Sequence, residues 1–534
     1  MSDSTSVPVA AGGVAWGSPE ARWMLTATVL GSGMAFLDST VVTVALPAIR
    51  EDLDTGLAGL QWIVNGYMVT LSALILLSGS LSDRFGRVRL FMWGVAVFAL
   101  ASALCTFAPT LEWLVAGRVA QGVGGALLTP GSLAILQAGF REEDRARAIG
   151  AWSGLTGVAS AIGPFVGGWL VQIGDWRLIF LINVPLALAV LAIAWFKVPE
   201  SRDPEAARRL DLPGALLGVT ALGGITYALI QWGAVGAAPA VWVGTAVGVL
   251  ALVLFLVVET RVADPMLPLG MFSSRGFGVT NAATVLIYGS LGTLFFLLVI
   301  YLQEVAGYSP VAAGAASLPI TLLMLALSAR SGRLASRIGP RPQLIAGPLS
   351  VAAGLWLLSR IGREAPYLTE VLPGVLLVAL GLATTVAPLT ATVLASVTER
   401  HAGVASGVNN TFARGAQLIG VAAIPALAGI VGGGETGGGV EAGSLIAGFG
   451  PAMLVLAGMC AAASLCALLL PRGRMPGAGE ASGRGSPPRE VGAVPPRGRE
   501  RPLRFCGVSG PPLRSCPGST AGDVPGDPRS GRNG

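Results

Sequence analysis

Apolar runs of roughly twenty residues, each closed by a short polar or glycine-rich break, follow one another from Trp23 to Leu470. A helix needs about 20 mostly apolar residues to cross the hydrocarbon core of a bilayer. Such runs occur near 23–46, 60–81, 90–108, 113–137, 146–170, 177–196, 212–232, 240–259, 277–302, 311–329, 343–360, 371–396, 403–431 and 449–470. The pattern predicts fourteen transmembrane helices and an all-α integral membrane protein. The run at 403–431 is the least regular, because glycines and polar residues interrupt it. The first run is too long for a signal-peptide core and has no basic n-region before it, so it is expected to remain as a span.

Charge distribution orients these helices. With the N-terminus inside, the cytoplasmic connections hold Arg84, Arg87, Arg89, Arg141, Arg145, Arg147, Arg333, Arg337 and Arg341, whereas the opposite ones hold only Arg50, Arg177, Arg360 and Arg363. That asymmetry follows the positive-inside rule and puts both termini in the cytoplasm. A repeat is also legible. Gly79-Ser80-Leu81-Ser82-Asp83-Arg84-Phe85-Gly86 after helix 2 matches Gly332-Arg333-Leu334-Ala335-Ser336-Arg337-Ile338-Gly339 after helix 10 in its glycines, leucine and arginine. The expected organisation is a tail at 1–22, a six-helix bundle at 23–196, an inserted helix pair 7–8 within 197–276, and a second six-helix bundle at 277–470. Residues 471–534, rich in arginine, proline and glycine, read as a disordered cytoplasmic tail. Parallel halves of this kind are a transporter architecture.

Composition narrows the function. Charged residues are 12% of the 534, about half the roughly 25% of soluble domains, and mean hydropathy is +0.70. The net charge of +6 is spread over loops rather than gathered on one face, so it fits an anionic membrane surface and not nucleic acid. The single lysine, Lys197, stands in Phe-Lys-Val and cannot serve a Walker A loop. The single histidine, His401, lies in a polar loop, and Cys105, Cys460, Cys466, Cys506 and Cys516 lack ligand spacing. Neither an enzyme nor a metal or cofactor site is expected.

Several segments resemble the major facilitator superfamily, and within it the fourteen-helix drug:proton antiporters. Leu37-Asp38-Ser39-Thr40 through Leu46-Pro47 is similar to the first-helix signature, and Gly79 to Arg87 to the loop 2–3 motif, with Val88 where a second basic residue is usual. Arg118-Val119-Ala120-Gln121-Gly122 resembles the helix 4 motif. In helix 5, Gly150 and Gly163-Pro164-Phe165-Val166-Gly167-Gly168 resemble the antiporter motif, with Ala159 where glycine is common. Trp176-Arg177, Asn183-Val184-Pro185, Tyr301-Leu302-Gln303, Leu318-Pro319, Asn409-Asn410-Thr411 and Arg414 are also family-like, while Gln417 is displaced from its usual place. The resemblance runs from about Trp23 to Pro471. It implies a carrier in the cytoplasmic membrane, probing substrate by alternating access and exchanging it for protons.

The residues themselves carry part of that chemistry. Asp38 lies within an apolar helix, where a bare carboxylate is costly; it is either permanently paired or poised to take up a proton. At 1.5 Å per residue Asp38 lies roughly 13 Å below the outer end of its helix and Arg118 about 8 Å, compatible depths for a pair. Asp83, Arg84 and Arg87, in a turn allowed by Gly79 and Gly86, anchor the inner face, and the resemblance implies a gating latch there. Arg414, Trp62, Asn65, Tyr67, Asn281 and Tyr288 are candidates for a central cavity or for packing. Multidrug export by a monomeric carrier, dedicated export of one endogenous natural product, and a non-transporting receptor or scaffold remain as alternatives.

Overall fold

The computed structural model describes residues 13–202, 210–262, 265–397, 402–430 and 442–470. His401, Cys506, Cys516 and the tail from 471 lie outside the described residues. Helices occupy almost all of that span: α1 (Pro19–Asp52), α2 (Leu57–Phe85), α3 (Arg87–Thr106), α4 (Leu111–Gly139), α5 (Glu142–Ile173), α6 (Leu178–Lys197), α7 (Leu212–Val235) and α8 (Pro239–Glu259). They continue as α9 (Arg275–Glu304), α10 (Pro310–Ile338), α11 (Arg341–Leu358), α12 (Tyr367–Ala395), α13 (Ala402–Leu427) and α14 (Ala442–Ala467). Twelve are long and apolar enough to cross a membrane by themselves; α11 and α13 fall short. In α13 the cause is visible in Asn409, Asn410, Thr411, Arg414 and Gln417, a polar face that needs neighbouring helices rather than lipid.

Local chemistry sets the helix ends. Ser18, Thr110, Ser274 and Ser309 cap their helices through side-chain oxygens. The two repeated loops end alike: Gly86 has φ 108° and Gly339 φ 84°, a region that residues with a Cβ rarely adopt. The repeat is therefore one of backbone conformation as well as sequence. At the first copy a Cβ would also meet the Glu200 carboxylate at 2.8 Å. Glu200, just past α6, accepts hydrogen bonds from the Val88 and Arg89 N–H groups, both at 3.0 Å, and so caps α3.

Helices α1 to α6 pack mainly on one another, through α3–α4, α2–α4, α1–α5 and α1–α6. Helices α9 to α14 form a second group through α11–α12, α9–α13, α11–α14 and α10–α12. Between the groups the contacts are α2–α13, α5–α10, α1–α9 and α1–α10. Helices α7 and α8 pair with each other, and α7 touches both α2 and α13. Glycines make that hairpin close: Gly224 and Gly248 face each other with no room for a Cβ on either. Before α1, Val14 pairs its backbone with Gly139 and Arg141, and Trp16 lies under the Arg147 guanidinium, so the N-terminal segment is pinned to the α4–α5 connection.

Candidate functional site

Asp38 and Arg118, both fully buried, form an ion pair at 2.5 Å between α1 and α4. The carboxylate also accepts from Gln121 Nε2 at 3.2 Å and Asn183 Nδ2 at 3.0 Å. Arg118 donates further to Ile63 O at 3.0 Å and Gln121 Oε1 at 2.8 Å, and its guanidinium lies over the rings of Tyr67 and Phe180. Ser102 on α3 receives hydrogen bonds from both Gln121 and Asn183. Helices α4 and α6 thus converge on the α1 carboxylate, and Ser102 of α3 braces both amide donors. One atom in the cluster is unsatisfied: Asn183 Oδ1 is buried without a partner.

Beside this cluster, at the boundary between the two helix groups, lies a cavity of about 460 Å³. From α1 it is lined by Phe36, Ser39, Thr40 and Thr43, which recur at helical spacing on a face adjacent to Asp38. Helix α2 contributes Asn65, α5 Trp152 and Ser160, α9 Tyr288 and Phe295, and α13 Asn410, Arg414 and Gln417. Arg414 is the one lining residue with a full charge, and no aspartate or glutamate joins it among the described residues.

One end of the bundle is closed above this cavity, the end opposite the arginine-rich connections. There Arg50 pairs with Glu304 at 2.7 Å, Gln303 Nε2 donates to Val44 O at 3.0 Å, and Gln61 Nε2 donates to Val421 O at 2.7 Å. Helix α5 meets α10 backbone to backbone: a Cβ on Gly168 would lie 2.5 Å from Pro310 O, and one on Gly314 would collide with Pro164 O. Gly163 and Gly167 are pressed against Thr40 and Val41 of α1. Toward the arginine-rich end one face of the same helix is open, and Gly150, Gly154 and Gly157 have nothing within 4 Å of a Cβ, while Trp152 still donates to Ser32 Oγ of α1 at 3.3 Å. In the loop there, Asp83 pairs with Arg87 at 2.8 Å, within its own helix group, and Arg84 lies over Phe85. A Cβ on Gly79 would meet open space.

Of the residues that the sequence left open between a cavity and packing, Trp62, Tyr67 and Asn281 pack against other side chains. Trp62 faces Tyr227 of α7, at 6.3 Å between ring centroids. Tyr67 lies under Arg118, and Asn281 bonds Phe277 O and Asn409. Asn65, Tyr288 and Arg414 do line the cavity. Ser102 was missed, and Gln121 and Asn183 were read as motif residues without their contact to Asp38, although Gln121 sits one helical turn from Arg118. Also missed was the Ser39, Thr40, Thr43 face, whose signal is three hydroxyls at i, i+1 and i+4 in an otherwise apolar run.

The Major Facilitator Superfamily model matches residues 28–421. The chain is 37% identical over 403 residues to the methylenomycin A resistance protein of Bacillus subtilis, covering 75% of this chain and 86% of that one. It is 36% identical over 390 residues to the multidrug resistance protein Stp of Mycobacterium tuberculosis, covering 72% and 71%. The crystal structure of a bacterial homologue of the human lysosomal transporter Spinster, inward-facing and unoccupied, aligns with a TM-score of 0.59 at 18% identity, over 85% of this chain and 97% of that one.

Proposed function

The chain belongs to the major facilitator superfamily, and we propose that it is a proton-driven exporter of amphipathic small molecules, drugs and antibiotics among them. The carrying observation is the sealed Asp38–Arg118 pair set beside a cavity that is closed at one end. The names of the two relatives, one a resistance protein for a single antibiotic and one a multidrug resistance protein, support export as the direction. A single-antibiotic relative keeps open the second reading, a carrier dedicated to one natural product.

On this reading residues 23–196 and 277–470 are the two bundles that rock about the cavity, and 197–276 is an inserted pair. The positive-inside rule puts the arginine-rich end and both termini in the cytoplasm. The open side of α5 then faces the cytoplasm, the side from which an exporter loads. We take the carrier to act as a monomer in the cytoplasmic membrane. When the bundles rock the other way, the α5–α10 contact parts and Asp38 gains access to protons from outside. Asp83, Arg84 and Arg87 serve as the latch that holds the cytoplasmic end closed in that state; here Asp83 is folded back on Arg87.

Asn183 makes the two protonation states of Asp38 tolerable. With the carboxylate ionised, its Nδ2 donates to Oδ1. With the carboxyl protonated, a flip of the amide turns the unpartnered Oδ1 toward the new O–H, because an amide offers a donor on one side and an acceptor on the other. Protonation removes the charge that holds Arg118, and the helix group is free to rearrange around it.

The test is uptake into everted vesicles. Accumulation of a fluorescent substrate should follow an imposed pH gradient and collapse on adding a protonophore. Accumulation that ignores the gradient and responds only to ATP rejects the proposal.

A further inference from the structure

The cavity carries one full charge, and that charge has no counter-ion. Arg414 Nε donates to Asn410 Oδ1 at 3.2 Å, and its guanidinium lies 5.8 Å from the centre of the Phe36 ring. A guanidinium has five N–H donors in a planar fork, so most of its hydrogen-bonding capacity remains. Asp38, the nearby acid of α1, is committed to Arg118, Gln121 and Asn183. A cation at membrane depth with no anion beside it is costly and draws one in.

A second polar point lies on the same wall. Asn65 is fully buried, borders the cavity, and has no partner for either Nδ2 or Oδ1. Buried amides in folded proteins are nearly always hydrogen-bonded, so an orphan amide just behind a cavity wall marks a side chain that a rotation would present to a ligand or ordered water. Gln61 of α2 touches Val421 of α13 near the closed end, and from that level Asn65 lies four residues deeper, about 6 Å, and Arg414 seven residues deeper, about 10 Å, at 1.5 Å per residue. The two points are therefore separated in depth by about 4–5 Å, about the length of two fused aromatic rings. Phe36, Trp152, Tyr288 and Phe295 border the same space.

We propose that this cavity selects amphipathic aromatic molecules bearing an acidic group, with Arg414 taking the carboxylate or phenolate and Asn65 a polar group at the far end of the ring system. Planar, two-oxygen anions match the guanidinium fork through paired charge-assisted hydrogen bonds. Lipophilic cations meet only the arginine, with no acid to receive them, and are disfavoured by like charge. The inference rests on the exporter reading for transport, but selectivity of binding stands apart from it.

Three probes share one ring system: 9-anthracenecarboxylate, 9-anthracenecarboxamide and 9-anthracenylmethylammonium. Binding is read by tryptophan fluorescence of the purified full chain in detergent at pH 7, and uptake in everted vesicles under a pH gradient. The carboxylate should bind at least about tenfold tighter than the ammonium, as expected for a desolvated charge-assisted pair. Arg414→Gln should bring that ratio to within about twofold, Arg414→Lys should keep its sign, and Asn65→Leu should weaken all three probes alike. Preference for the ammonium, equal loss of all three probes in Arg414→Gln, or binding of none overturns the inference. Should Arg414→Gln fail to reach the membrane, the wild-type ratio decides. Selective binding without uptake would sink the exporter reading and leave this inference standing, and gradient-driven uptake without charge preference would do the reverse.

Discussion

Gly168→Ala should slow uphill transport at least tenfold while leaving membrane expression near normal. The added Cβ would lie 2.5 Å from Pro310 O and 2.7 Å from Val311 Cα. Both are backbone atoms at the start of α10, so no side chain can swing aside. Overpacking of this kind costs about 1–3 kcal/mol. On the proposed rocking of the two bundles, the cost falls on a contact that parts when this end opens, so it acts on the balance between states. A bias of 2 kcal/mol moves a two-state population about thirtyfold.

Thiol labelling reads that shift directly. Thr43 lines the cavity, and a Thr43→Cys reporter should react faster with a membrane-impermeant reagent added to intact cells when Gly168→Ala is present. Gly150 is the contrast, because a Cβ there meets nothing. Gly150→Ala should leave labelling from that side no greater than in the parent. Faster labelling in Gly150→Ala, or unchanged labelling and transport in Gly168→Ala, rejects the gating role of the α5–α10 contact.

The helical architecture was legible because crossing a membrane demands long apolar runs, and such runs survive in sequence without knowledge of packing. The repeated loop was legible for a related reason: Gly86 and Gly339 adopt a backbone conformation that penalises other residues. Depth made Asp38 and Arg118 compatible partners, and the contact itself came only with the fold. The facing of α2 was harder. Trp62 and Asn65 are three residues apart, yet one meets α7 and the other the cavity. An inserted helix pair buries a second stripe of α2, and a period of 3.6 cannot tell which stripe faces a helix and which a void. Asn183 was visible only as a motif residue, because its partnership depends on the fold, which brings Gln121 and Asn183 to one carboxylate and Ser102 behind them.

Asp38→Asn should abolish gradient-driven uptake while retaining part of the expression. The substitution keeps shape and removes the titratable proton. It also leaves Arg118 without its anion, and breaking a buried pair costs about 3–5 kcal/mol. Part of that is offset, because Ile63 O, Gln121 Oε1 and the Tyr67 and Phe180 rings still receive the guanidinium. The lower end of the range is therefore expected, enough to reduce expression without eliminating it. Asp38→Asn combined with Arg118→Gln separates structure from coupling. With both charges gone the cluster is neutral, and flips of Asn183 and Gln121 can satisfy two amides, so expression should return toward normal. If Asp38 only holds helices together, uphill transport returns with it. If Asp38 carries the proton, the double variant binds the anthracene probes, exchanges them downhill, and fails to concentrate them under any pH gradient. The measurement is membrane expression beside pH-driven and counterflow uptake in everted vesicles, and uphill transport by the double variant at the wild-type rate would reject Asp38 as the proton carrier.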